Sequence, residues 1–157
     1  MNCDPPDDGS ATVYGLIGIG LMGTALAERL LGAGMPVLGW DVSAVRRAAL
    51  LQIGGRCAAS LDQVFSCCDC ILLSLPSHET VSLVLDNAAA SIRAGQIIVD
   101  TSTGDPAAAV AQAARLAERD VEYLDATISG SSQQLREGTA VFLVGGNTTT
   151  YSRGAAN

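Results

Sequence analysis

The stretch VYGLIGIGLMGTALAERLLGAG, residues 13–34, decides how the rest of the chain reads. Residues 13–17 are a short apolar run of strand length, and Gly18, Gly20 and Gly23 follow in G-x-G-x-x-G spacing. Behind them Met22, Leu26 and Leu30 recur every fourth residue, one face of a helix. Strand, glycine turn and helix in that order give such a spacing its meaning. Gly18 then permits the tight turn, Gly20 lets a pyrophosphate approach the backbone, and Gly23 lets the helix lie close on the strand. Leu21 and Met22 open that helix, whose free N–H groups and positive dipole end face the phosphates. A glycine-rich turn that binds nothing is the plainer alternative; the flanking strand and helix favour nucleotide binding.

Working outward, the chain is 157 residues and 16.0 kDa, enough for one domain with its own core. Its composition is 48% hydrophobic, yet no apolar run reaches the ~18 residues of a membrane span. The start, MNCDPPDDGS, is acidic and turn-rich, without the basic and apolar regions of a signal peptide, so residues 1–11 read as a mobile tail. A net charge of −7 and a pI near 4.4 argue against nucleic acid or an anionic membrane surface as a partner. Five cysteines form an odd set with no disulfide framework, which points to a reducing cytoplasm. There is no lysine: all nine basic residues are arginine.

Gly32 and Gly34 end the first helix, and residues 36–40 form a second strand that closes at Asp41. That carboxylate falls near the ~20-residue offset at which an acidic residue reaches the adenosine ribose, accepting from its hydroxyls and repelling a 2′-phosphate. Asp41 therefore favours NAD over NADP, although Arg46 and Arg47 stand where they could meet a 2′-phosphate. Asp41 could instead cap the following helix over 44–51, but Ser43 is better placed for that.

A short third strand over 54–58 and a small helix over 61–66 come next. Cys67, Cys68 and Cys70 invite a metal reading, but His78 is the single histidine and no second cysteine pair follows, so they read as core. No metal site is expected. Residues 71–75 are the continuous apolar run of a central parallel strand. Ser77 then caps a helix from His78 to about residue 90, and His78 reads as first-turn surface rather than as a base.

Residues 96–99 form a strand closing at Asp100, and Asp105 with Pro106 starts an alanine-rich helix to about residue 118. The hydroxyls of Thr101, Ser102 and Thr103 are not needed for that start. They sit at a strand's carboxyl end, where an open α/β sheet collects its ligand. A strand over 121–124 leads into the loop DATISGSS, residues 125–132, and an apolar run over 140–144 ends in Gly145-Gly146. Residues 147–157 lack periodicity and read as an unstructured end, leaving 12–146 as the folded domain.

Taken together these motifs resemble the cofactor domain of the β-hydroxyacid dehydrogenases, among them 3-hydroxyisobutyrate dehydrogenase, tartronate semialdehyde reductase and 6-phosphogluconate dehydrogenase. GLIGIGLMG at 15–23 is similar to the family's opening, and Leu75-Pro76 to its leucine–proline pair. Residues 100–106 match D-x-S-T-x-x-P, and residues 125–130 match D-A-x-x-S-G-G except that Ser131 replaces the last glycine. The resemblance implies an α/β fold, a Rossmann-type, doubly wound and mainly parallel sheet. It places Leu75, Pro76, Thr80 and Thr103 on the dinucleotide beside the glycine turn and Asp41. Ser102, Ser129, Gly130 and Ser131 would face a substrate carboxylate. The family moves hydride between the nicotinamide and a small β-hydroxy acid or its semialdehyde, with a lysine of a second, helical domain as general acid/base.

Neither that domain nor any lysine is present in these 157 residues. The chain is thus expected to be the cofactor half of an oxidoreductase, inactive without its helical domain, with no catalytic residue of its own. The competing reading is a free-standing dinucleotide-binding or redox-sensing module. A methyltransferase gives no reason for the Leu-Pro and D-x-S-T-x-x-P elements, and a short-chain dehydrogenase requires a Tyr-x-x-x-Lys pair that the chain cannot form. Family members assemble through the second domain, so the oligomeric state is left open.

Overall fold

The computed structural model describes residues 12–147. Both the 1–11 tail and the end beyond residue 147 lie outside the described residues. Strands and helices alternate: β1 (Tyr14–Ile17), α1 (Leu21–Gly32), β2 (Val37–Trp40), α2 (Ala44–Gln52), β3 (Arg56–Cys57), α3 (Leu61–Cys67) and β4 (Cys70–Leu73). Then come α4 (His78–Asn87), β5 (Ile97–Asp100), α5 (Pro106–Ala117), β6 (Glu122–Ser129), α6 (Ser132–Glu137) and β7 (Val141–Gly145). They build one sheet in the order β3-β2-β1-β4-β5-β6-β7. Every pairing from β3 to β6 is parallel, and β7 alone runs antiparallel. This is the doubly wound α/β sheet read from the sequence.

Each face of the sheet carries its own core, which is why the central strands are apolar on both sides. On one face Ile17, Ile71, Leu73 and Ile98 meet Phe65, Val81, Leu85 and Leu116 from α3, α4 and α5. On the other, Leu16 and Val37 meet Leu26, Leu50 and Leu135 from α1, α2 and α6. Burying each such side chain is worth roughly 2 kcal/mol. Gln96 is fully buried among them because its amide is fully used. Its Nε2 donates to the carbonyls of Phe65 (2.6 Å) and Cys68 (2.7 Å) at the end of α3, and its Oε1 accepts from Arg93 N (2.6 Å).

Cys68 is 1% exposed in the first core, and burial pushes its thiol up to about 12. Cys57, Cys68 and Cys70 are free thiols. Cys67, by contrast, is disulfide-bonded, where an odd set with no disulfide framework was expected.

Two departures concentrate after residue 124. The strand expected over 121–124 runs on to Ser129, because β7 pairs with its second half in the register Asp125↔Gly145 to Ser129↔Val141. A helix not foreseen, α6, occupies the segment between them. Ser131 is its N-cap: the hydroxyl accepts from Gln134 N while Gln134 Oε1 accepts from Ser131 N, and Gly138 ends the helix at φ 74°. Among the described residues no helix is long and apolar enough to cross a membrane.

Candidate functional site

Strand order reverses at β1: α1 and β2 lie to one side, and β4 is reached on the other. At such a switch point the loops leaving the two strands diverge and open a crevice at their carboxyl ends. Here the crevice has a volume of about 670 Å³.

The glycine turn forms its floor. Gly18 has φ +90°, and a Cβ there would stand 2.2 Å from the Ser74 carbonyl oxygen. A Cβ at Gly23 would stand 2.0 Å from the Gly18 carbonyl, so helix and turn meet through backbone alone. At Gly20 an added Cβ meets nothing within 4 Å, because that side faces the crevice. Gly20 is also the N-cap of α1 and offers no side chain to the helix's first N–H groups. An uncapped helix end facing an open cleft is suited to an anion. Leu21 and Met22, the first residues of α1, line the same cleft.

Asp41 closes one side. It is only 4% exposed, and its Oδ2 accepts from Ile19 N at 2.7 Å while Oδ1 accepts from Ser43 N at 2.8 Å. The carboxylate thus ties the end of β2 to the glycine turn. Ser43 occupies the N-cap position of α2, as expected, but its side chain makes no capping hydrogen bond. The two arginines divide: Arg47 Nη1 donates to the carbonyls of Asp41 (2.5 Å) and Val42 (3.3 Å), which spends it on backbone. Arg46 lines the cleft with Nη1 3.5 Å from Asp41 Oδ2.

The opposite side comes from the loops after β4 and β5. Leu75, Pro76 and Thr80 line the cleft, the last held at the start of α4 by Ser77, whose hydroxyl caps Thr80 N. Thr101, Ser102 and Thr103 line it from β5. Thr101 is anchored to the Leu73 carbonyl through its N–H (2.9 Å) and its hydroxyl (2.8 Å), and Ser102 Oγ accepts from Leu75 N at 3.0 Å. Beside Ser102, a separate water-sized cavity is lined by Asp100, Gln112, Tyr123 and His78. His78 packs against Gly104, away from the main cleft.

Gly130, at φ +143°, reaches the cleft from the end of β6. Ser129 and Ser131, its neighbours, do not line it; the first is in β6 and the second is the α6 cap. Several lining residues were not singled out from sequence: Trp40, Val42, Ser74, Val84 and Ile128. All but Val84 lie at or just beyond a strand's carboxyl end or in its last residues, a signal the strand assignments already held. Among the described residues no group of three histidine, cysteine, aspartate or glutamate side chains is placed to hold a metal.

Fold and cleft together define a Rossmann-type dinucleotide-binding domain. The family described as the NAD binding domain of 6-phosphogluconate dehydrogenase matches residues 13–156, and the chain belongs to it. It is similar to 2-(hydroxymethyl)glutarate dehydrogenase of Eubacterium barkeri, 30% identical over 142 residues that make up 88% of this chain and 47% of that one. Among solved structures, the 3-hydroxyisobutyrate dehydrogenase of Mycobacterium tuberculosis with L-serine superposes with a TM-score of 0.87 at 26% identity, covering 92% of this chain and 50% of that one. Psf3 in complex with NADP+ and 2-OPP does so with a TM-score of 0.81 at 27% identity, covering 88% and 50%. The chain spans about half the length of these relatives. It is the NAD-binding domain of a hydroxyacid-dehydrogenase-like sequence, and its cofactor class is a nicotinamide dinucleotide.

Proposed function

We propose that the cleft binds NAD(H) with the pyrophosphate over Gly20 and the first turn of α1, and the adenosine ribose against Asp41. The nicotinamide end would then lie toward Leu75, Pro76, Thr80 and Thr103. One observation carries the reading: Gly20 leaves the helix end uncapped and its Cα face open to the cleft. A Cβ at position 20 meets nothing within 4 Å, so Gly20→Val is expected to leave the fold intact and to weaken NADH binding by about a hundredfold or more, roughly 2.7 kcal/mol. Calorimetric titration beside circular dichroism checks it, and unchanged affinity refutes it.

Preference for NAD over NADP is supported by the buried Asp41 carboxylate and by Arg47 being occupied with backbone carbonyls, which leaves Arg46, among the described residues, as the one cation on that wall. Asp41→Asn removes the charge and keeps an acceptor for Ile19 N at the loss of the one for Ser43 N, and should narrow the NADH-over-NADPH margin by about 1–2 kcal/mol. Tighter binding of NADPH by the unaltered chain would reverse the assignment.

When bound, the nicotinamide would supply hydride exchange with a small β-hydroxy acid or its semialdehyde, the class suggested by the relatives' names. Ser102, Ser129 and Gly130 are our candidates for the carboxylate end, and Ser131 joins them only through its N-cap role. Proton transfer to the resulting alkoxide by a positioned group is typically worth about 10²–10⁴-fold. No lysine is available in the 157 residues, so they are expected to bind NADH without turning over 3-hydroxyisobutyrate. The second reading is a binding module without catalysis. Restoration of turnover by a relative's helical half would decide for the first. We infer a cytoplasmic setting from the free thiols of Cys57, Cys68 and Cys70.

A further inference from the structure

Asp100 is the buried charge that the binding reading leaves unexplained. It is 6% exposed, at the carboxyl end of β5 and behind the cleft, and no arginine among the described residues is paired with it at salt-bridge distance. Removing a carboxylate from water without a cation is costly unless its oxygens are hydrogen-bonded. Two donors meet it. Tyr123 OH, from the neighbouring strand β6, donates to Oδ2 at 2.6 Å, and Ser102 N donates to Oδ1 at 2.8 Å. An apolar pair at these positions would hold two adjacent strands together at less cost. What an apolar pair could not do is hold the backbone of Ser102.

From Ser102 the connection continues. Its Oγ accepts from Leu75 N, so Tyr123, Asp100, Ser102 and Leu75 form one hydrogen-bonded line across the ends of β6, β5 and β4. The last two members are walls of the cleft, and the first two lie outside it, against the smaller cavity. Burial, then the Asp100 carboxylate itself, pushes the Tyr123 hydroxyl upward, so it stays a donor throughout the neutral range. Asp41 stands across β1 at the end of β2, and the glycine turn meets this line only by packing against Ser74 and Leu75, with no hydrogen bond to its members.

We propose that Tyr123 and Asp100 are positioning residues that set the wall built by Ser102 and Leu75, and through it the grip on the nicotinamide half of the dinucleotide. The adenosine half, held by Asp41 and the glycine turn, is independent of them. The inference rests on the dinucleotide reading given above, and it adds a division of labour within the cleft.

Calorimetric titration of the purified chain with NADH and, separately, with ADP tests it. Tyr123→Phe is expected to weaken NADH by about three- to tenfold, the range set by one net hydrogen bond, and to leave ADP unchanged. Asp100→Asn keeps an acceptor for Ser102 N and a polar partner for Tyr123, so it should stay within about twofold for both ligands. Asp100→Ala should reproduce the Tyr123→Phe loss, and this pair carries the test if Tyr123→Phe does not fold. A merely structural role would lower the melting temperature and weaken both ligands together, or neither; either result overturns the proposal. If the unaltered chain binds neither ligand, the dinucleotide reading falls and the positioning role with it. NADH weakened selectively in both Tyr123→Phe and Asp100→Ala, with Asp100→Asn spared, supports it.

Discussion

The middle of the sheet, β1 with β4 at the switch point, and its far edge, β6 with β7, are built on opposite terms. Along β1 every residue is buried, and the turn after it is bounded by backbone carbonyls that leave no room for a side chain at Gly18 or Gly23. Along β7 every residue is exposed, with Val141, Phe142, Leu143 and Val144 at 56%, 43%, 60% and 41%. The two strands are equally apolar in sequence. Hydrophobic composition therefore marks both as strands, while the neighbours each one finds decide whether its residues carry stability. An apolar strand left at an edge is also a template for further pairing.

The widest gap between the regions should appear at their glycines. Gly18→Ala forces a side chain into positive φ and onto the Ser74 carbonyl, and should cost about 4 kcal/mol in urea denaturation. Gly145→Ala, in β7 with nothing within 4 Å of the added Cβ, should change stability by less than about 0.5 kcal/mol. A small cost at Gly18 would mean that the turn can relax, and the contrast would collapse.

Leucines sharpen the comparison at constant chemistry. Leu73 in β4 is fully buried, so Leu73→Ala should cost about 3 kcal/mol. Leu143→Ala in β7 should cost less than about 0.5 kcal/mol. Equal costs would show that β7 is covered in solution.

A further contrast lies in pH dependence. Burial favours the neutral Cys68 thiol, raising it from 9.0 to about 12, so the folded state holds this proton more tightly than the unfolded chain does. Its contribution is complete below pH 9 and is lost as pH rises toward 12. Denaturation midpoints measured across that range should fall less steeply in Cys68→Ala than in the unaltered chain. Cys57 and Cys70 are also raised by burial and give the residual slope.

Legibility followed the same divide. The elements from β1 to α5 could be read because each announces itself locally. Glycine spacing marks the first turn, Ser43 and Ser77 mark helix starts, and Asp105-Pro106 marks α5. Most of the cleft could be read too, since its residues follow strand ends. The region after residue 124 could not. Residues 125–129 look like a polar loop and become strand only because β7 folds back antiparallel upon them. Ser131 looked like a departure from a glycine motif, yet it is the cap of a helix whose Gln134 completes a reciprocal pair three residues on.

By itself, then, the sequence determined the alternation of strand and helix, the glycine turn, and the acidic residue that closes β2. Those properties depend on local sterics and on side-chain periodicity, which neighbours in the chain fully express. Tertiary structure alone decided that Asp41 bonds the glycine turn through Ile19 N, that Arg47 is spent on carbonyls while Arg46 faces the cleft, and that Tyr123 supports Ser102 through Asp100. The Asp41 and Tyr123 contacts join separate elements, side chain to backbone at Ile19 N and Ser102 N and side chain to side chain between Tyr123 and Asp100. Only the packing of parallel strands side by side brings such partners within hydrogen-bond reach.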